Sequence, residues 1–118
     1  MTLLGILLAA RCAENAEIKE EWLYRRWVHS FEEDTPQYWV YRPDDYEFPP
    51  SRGRDGFSIT EDGSFVEYRI GPTDRLDTHQ GEWERTDNVI RVALDDDKTM
   101  EIIVQSLAER ELRMAVPK

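Results

Sequence analysis

The chain has 118 residues, a length typical of one domain whose core holds together without a disulfide or a metal. Its formal net charge of -10 opposes binding to a nucleic-acid backbone, so we expect no nucleic-acid partner. Its only cysteine, Cys12, excludes an intrachain disulfide and a thiolate metal cage. We expect no cofactor and no bound metal.

Residues 1–24 are predicted to form a helical segment ahead of the first strand. Their apolar run is too short to span a bilayer, so we expect no stable membrane insertion. No basic residue precedes the run, and Arg11 stands where a lipoprotein signal requires a small residue before Cys12. We therefore predict a cytoplasmic protein, with export as the alternative if residues 1–12 are a degenerate signal.

Short runs of β-branched and aromatic residues then alternate with turn sequences such as Asp62-Gly63 and Asp87-Asn88. The least regular stretch, 33–55, contains Pro36, Pro43, Pro49 and Pro50 and is predicted to be a long structured loop around one short strand. Eight strands are predicted, near residues 25–32, 38–42, 56–60, 64–70, 80–85, 89–94, 99–106 and 110–116.

Side chains on the predicted strands alternate between apolar and polar, which is typical of a sheet with one buried and one wet side. Eight antiparallel strands in simple succession close most economically into an up-and-down barrel, which leaves no free edge. We therefore predict an all-β, single-domain barrel over residues 1–118. The alternating sets include Ile90, Val92 and Leu94, then Ile102 and Val104, then Leu112 and Met114, and finally Phe65, Glu67 and Arg69 opposite Val66, Tyr68 and Ile70.

The segment Leu23-Tyr24-Arg25-Arg26-Trp27 opens the first strand, and Gly81-Glu82-Trp83 carries a Gly-x-Trp pattern in mid-chain. A Trp in the first position followed by a meander of hairpins resembles the calycin superfamily, which includes the lipocalins and bacterial lipocalin-like domains. Arg25 stands where the lipocalins have Gly. The resemblance implies a lipocalin-like barrel that binds a small apolar ligand. Four further segments look like a group of small bacterial proteins with no known activity: Trp27–Asp34, Tyr41–Pro43, Pro49–Arg54 and Gly71–Asp74.

Arg52 and Arg54, separated by one glycine in a proline-limited segment, are suited to gripping a carboxylate or phosphate. The alternative, which we prefer, is that they pair with the acids of the 32–34 segment and pin the long loop to the first strand. His29 would enter the barrel if its face points inward, as a general base or a ligand partner. A buried, internally satisfied histidine is the commoner arrangement. We expect His79 to face solvent.

The aromatic residues are expected to fill much of the interior and to leave a small cavity near the rim, around residues 42–56 and 71–79. Such a cavity favours a compact ligand with an acidic head over a long lipid. We predict a non-catalytic protein, monomeric or homodimeric, that binds a small anionic or amphiphilic metabolite. The alternatives are a solid barrel with a structural or interaction role, and a small isomerase or cyclase with His29 as its base. The predicted ligand-binding residues are Trp27, His29, Tyr41, Arg52, Arg54 and Trp83.

Overall fold

Eight antiparallel strands close into a barrel in the computed structural model, which describes residues 18–117. All-β architecture, strand number and closure therefore agree with the prediction. The strands are β1 (Arg26–His29), β2 (Tyr38–Pro43), β3 (Gly56–Ile59), β4 (Ser64–Ile70), β5 (Leu76–Thr86), β6 (Val89–Leu94), β7 (Thr99–Ala108) and β8 (Glu111–Ala115).

The predicted N-terminal helical segment lies mostly outside the described residues, which begin at Ile18. In the remainder of that segment, only Glu20–Trp22 is helical, as a single 3₁₀ turn. Among residues 18–117, the structure contains no helix with the length and apolar character needed to cross a bilayer.

Two strands, β1 and β5, differ from their predicted bounds by more than two residues. β1 ends at His29 because the chain turns into a 3₁₀ turn over Phe31–Glu33, where the Glu33 amide donates to the Ser30 carbonyl and the Ser30 hydroxyl to the Glu33 carboxylate. β5 begins four residues before the predicted position, since Leu76 to His79 continue the pairing with β4.

The strand order corrects the up-and-down expectation. Around the barrel it is β1-β2-β8-β7-β6-β5-β4-β3, so β3 to β8 follow in simple succession while β1 lies between β2 and β3. In an up-and-down barrel, β2 would pair with β3 and β1 with β8. Here β2 pairs with β8 and β1 with β3, with Trp27 opposite both Pro43 and Phe57.

This order is made possible by the segment between β2 and β3, residues 44–55, which we call the strap. Since β2 and β3 are both antiparallel to β1, they run parallel to each other, and the strap must travel the length of β1 to join them. A two-residue turn cannot make that connection, but a segment of this length can. The two prolines in its centre, Pro49 and Pro50, favour the extended backbone that such a crossing needs.

The inward faces of the strands form the core, as the alternation in β6, β7 and β8 predicts. Ile90, Ile102 and Leu112 are fully buried, and the aromatic rings of Phe57 and Phe65 stack at 5.6 Å between centroids. Leu23 closes one end of the barrel, where its carbonyl accepts a hydrogen bond from the Trp27 indole. We call this the closed end. The opposite end, where β1 and β4 finish and β3 and β5 start, we call the mouth.

Candidate ligand site at the mouth of the barrel

A cavity of about 350 Å³ opens at the mouth. Its floor is the aromatic core: the Tyr41 and Phe57 rings lie 5.0 Å apart, and Phe57 stacks in turn on Phe65. Strand alternation brings polar and apolar side chains to the same inner wall, because each strand contributes every second residue. The residues that line the cavity from strand positions facing the interior are Tyr41, Phe57, Glu67, Arg69 and Met100, with Asp55 at the end of the strap.

Glu67 and Arg69 carry charge into the barrel from β4, on the same face as the buried Phe65. The Arg69 guanidinium donates from Nε to Glu67 and from Nη1 to Asp96 Oδ2 at 3.0 Å. Burial opposes ionisation of Asp96, but hydrogen bonds from Arg69 and the Lys98 amide, together with nearby positive charge, outweigh it and hold the pKa of Asp96 below its ordinary value. Arg69 is therefore held between two carboxylates.

His29 is the second cationic centre of the mouth. Its Nε2 lies 2.8 Å from Asp34 Oδ2 and its Nδ1 3.1 Å from Asp55 Oδ1, while its ring stacks on Tyr41 and Trp39 at 4.8 and 4.9 Å. Burial favours the neutral imidazole, but hydrogen bonds and charges of the two aspartates outweigh it and raise the pKa of His29. A ring that donates from both nitrogens is the protonated form. The histidine thus acts as a clamp between the segment that precedes β2 and the end of the strap.

Tyr41 offers a free hydroxyl to the cavity. The residue is 5% exposed and lines the cavity, and its hydroxyl makes no hydrogen bond among residues 18–117. Burial, followed by the negative charges of Asp55, Asp34 and Glu67, raises the pKa of Tyr41. The hydroxyl therefore remains protonated and is available as a hydrogen-bond donor.

Arg54 anchors the strap on the outside of the mouth. Its guanidinium forms a two-point ion pair with Glu32, with the shorter distance 2.6 Å, and also donates to the carbonyls of His29 and Pro49. The group lies 4.6 Å from the ring centres of both Phe31 and Phe48. The Arg54 hydrogen bonds lower the pKa of Glu32 to about 2.

The six predicted ligand-binding residues divide into three groups. Tyr41 lines the cavity and His29 lies behind it, as neighbours in the barrel wall. Trp27 is fully buried towards the closed end, and the Trp83 indole donates to the Thr60 carbonyl there.

The two arginines form the third group, and both lie outside the cavity lining. Arg54 makes the pairing with the 32–34 acids that we preferred from sequence, while Arg52 is 90% exposed and its nearest acid, Asp74, is 3.9 Å away.

Sequence reasoning missed the residues that give the mouth its charge. Glu67 and Arg69 suggested a solvent-exposed face of β4. The large apolar side chain of Phe65 on the same face was a signal that this face is the buried one. Asp55 and Asp34 carried no sequence signal, since their meeting at His29 depends on the strand order. His79 was expected to face solvent, but its side chain is 26% exposed and its Nδ1 lies 3.5 Å from Asp95.

His79, Asp95 and Asp96 place three potential ligand atoms within 4.8 Å of one another. We assign no metal to this cluster, because Asp96 Oδ2 also accepts the Arg69 hydrogen bond. A guanidinium on the same oxygen would repel a divalent cation.

Comparison with known proteins returned no matching family model, no matching curated protein and no matching solved structure. The class that the fold defines is an eight-stranded, closed antiparallel β-barrel. It has the closure and strand number that the calycin resemblance implies, with a different placement of β1.

Proposed function

We propose that this protein binds a small molecule in the mouth cavity and performs no chemistry on it. The observation that carries the proposal is the cavity itself, about 350 Å³ in volume, with an aromatic floor and a Tyr41 hydroxyl that has no hydrogen-bond partner within residues 18–117. Small-molecule sites are concave, largely apolar, and furnished with a few polar groups that fix orientation. This volume is near the lower end of such sites, which are roughly 300–1,000 Å³.

A compact ligand fits better than a long lipid chain. Below the mouth, the interior is filled by Phe57, Phe65 and Trp27, all of which are at most 2% exposed. A lipid tail has no channel to enter unless these side chains repack, which costs packing energy. The ligand therefore occupies the mouth and not the full length of the barrel.

The ligand's charge is a separate question from its size. An anionic head was predicted on the basis of Arg52 and Arg54, but Arg54 is committed to Glu32 and Arg52 points into solvent. The proposal therefore rests on the groups that line the cavity and does not require an anion.

Binding is favoured over catalysis by the state of His29. A general base needs an imidazole nitrogen with a free lone pair within reach of the substrate. Both nitrogens of His29 face carboxylates at 2.8 and 3.1 Å, which stabilises the protonated ring. The isomerase or cyclase alternative therefore lacks its proposed base.

A protein-interaction role is the second candidate, supported by a depression of about 720 Å³ on the outside of β5, β6 and β7. Its lining comprises outward-facing residues of the three strands together with the inward-facing Trp83, Val92 and Met100. The outward-facing residues are Glu82, Glu84, Arg91, Ala93, Thr99 and Glu101.

Chemical-shift mapping with mixtures of small soluble compounds tests both candidates in one experiment. We expect amide shifts at Tyr41, Phe57 and Glu67 with compounds at up to about 10 mM, a range that detects weak fragments. Shifts confined to Glu82, Arg91 and their neighbours would favour the outer depression instead. No shift at the mouth with any compound would contradict the proposal.

A further inference from the structure

Negative charge predominates around the mouth cavity. Five carboxylates stand there against Arg69 and His29, so the net charge is -3 when His29 is counted as a cation and His79, beside two of the acids, as neutral. The carboxylates belong to Asp34, Asp55, Glu67, Asp95 and Asp96.

Neither cation is left over for an anionic ligand. His29 is shared by Asp34 and Asp55, and Arg69 is shared by Glu67 and Asp96. Arg69 Nη2 makes no hydrogen bond among residues 18–117, but an anion bound there would lie beside Glu67 and Asp96, and like charges at such distances repel strongly in a partly buried site.

Two carboxylate oxygens of the lining remain without a partner among residues 18–117. Asp55 uses Oδ1 for His29, and Glu67 uses Oε1 for Arg69, while the second oxygen of each makes no hydrogen bond. Asp55 and Glu67 both line the cavity, with Phe57 and Met100 on the same wall. The lining therefore combines two free anionic acceptors with an apolar surface.

The turn between β4 and β5, with the first residues of β5, does not alter this balance. Asp74 lies 3.9 Å from Arg52, Arg75 follows in the same turn, and Asp77 lies in β5 opposite Arg69. The two acids and the two arginines cancel. Burial raises the pKa of Tyr41, and the charges of Asp55, Asp34 and Glu67 raise this pKa further.

We propose that the ligand of the mouth cavity is a small organic cation, whose ammonium group is held by the free oxygens of Asp55 and Glu67 while its apolar part packs on Phe57 and Met100. This inference rests on the proposed function and specifies the chemical class of the ligand. The Tyr41 hydroxyl is near enough to the same cavity to add a hydrogen bond to a polar substituent.

Three probes of nearly equal size and different charge test the inference: benzylamine, benzyl alcohol and benzoate. Titration followed by amide shifts at Phe57, Glu67 and Met100 gives an affinity for each. We expect benzylamine to bind about tenfold more tightly than benzoate, with benzyl alcohol between them. The benzylamine affinity should fall as NaCl is added, because salt screens the charge attraction.

Two variants and one control assign the effect to the lining. Asp55→Asn and Glu67→Gln should each weaken benzylamine by several-fold while leaving benzyl alcohol unchanged. Glu67→Gln should also strengthen benzoate, because it removes one of the two acids that occupy Arg69. Asp45→Asn is the control, since Asp45 pairs with Arg110 on the surface and lies outside the cavity lining. Amide spectra of each variant verify folding, and either lining variant alone suffices for the test.

The outcomes separate this inference from the proposed function. Benzoate or benzyl alcohol binding in the cavity at least as tightly as benzylamine would overturn the cationic ligand and leave a small-molecule site in place. Failure of all three probes, and of every other compound, to shift the mouth residues would overturn the site itself. An unchanged benzylamine affinity in both lining variants would remove Asp55 and Glu67 from it.

Discussion

His29 and Arg54 are the side chains that fasten the strap to the barrel. His29 reaches Asp55 at the end of the strap, while Arg54, within the strap, returns to Glu32 and to the His29 carbonyl. Both lie largely out of water, with side-chain exposures of 9% and 8%. Polar groups in such positions cost free energy when a partner is lost, since desolvation is no longer compensated.

Arg54→Ala should destabilise the protein by about 2 kcal/mol, because it removes several hydrogen bonds and the packing between Phe31 and Phe48. Arg52→Ala is the matched control and should stay within about 0.5 kcal/mol, since its side chain is 90% exposed. Urea unfolding of both variants measures the difference. Equal effects would mean that Arg54 is not an anchor.

The contribution of His29 to the free energy of unfolding should decrease as the pH rises, whereas that of a paired carboxylate decreases as the pH falls. Its pKa is raised above the ordinary 6.5 in the folded state, so its stabilising contribution is complete below about pH 6.5 and is lost as the pH rises through the folded pKa. His29→Gln should cost about 2–3 kcal/mol near pH 6 and less near pH 9. Unfolding free energies at both pH values, with an NMR titration of the imidazole, test this. A gap that widens with pH would contradict the clamp.

At the scale of elements, β1 is the central feature, since this short strand has a neighbour on each side and the strap crossing it. Its close fit to β3 depends on Gly56, which lies opposite Val28. A Cβ at Gly56 would overlap the Trp27 carbonyl oxygen, which belongs to the backbone and cannot rotate away. A glycine is therefore required where β3 begins.

Gly56→Ala should destabilise the barrel by about 2–3 kcal/mol, because β1 and β3 would have to separate locally. Gly53→Ala, in the strap, is the control: its nearest neighbours would be 3.8 and 3.9 Å away, which is ordinary contact. Thermal unfolding of the two variants compares them directly. A Gly56→Ala variant as stable as the control would contradict the tight β1–β3 approach.

The strands themselves were predictable, because local alternation and turn residues report on local structure. β6 matches its predicted span, and Ile90, Val92 and Leu94 are buried as expected. The neighbours of β1 were not predictable, since no local pattern states which strands pair. The charged groups of the mouth could not be predicted for the same reason, because Asp34 and Asp55 are distant from each other in sequence and meet only through His29. Glu67 and Arg69 were predicted to face solvent because they are charged, but both side chains lie on the inner face of β4.

At the scale of the whole molecule, closure of the barrel places the buried faces of the strands around one apolar core. Charged side chains line the interior at the mouth. The chain has a net charge of -10, and the mouth is also acidic because carboxylates surround His29 and Arg69. The strand order determines this arrangement, because β1 must lie between β2 and β3 for His29 to reach both Asp34 and Asp55.

The most direct test of the account is an NMR measurement of close Hα–Hα contacts between strands. Such contacts mark antiparallel pairs that are not hydrogen-bonded, where the Cα atoms approach to about 4.5 Å. We predict contacts between Arg26 and Ser58, which join β1 to β3, and between Val40 and Arg113, which join β2 to β8. Contacts between β2 and β3, together with contacts between β1 and β8, would indicate an up-and-down barrel and contradict both the clamp and the mouth cavity.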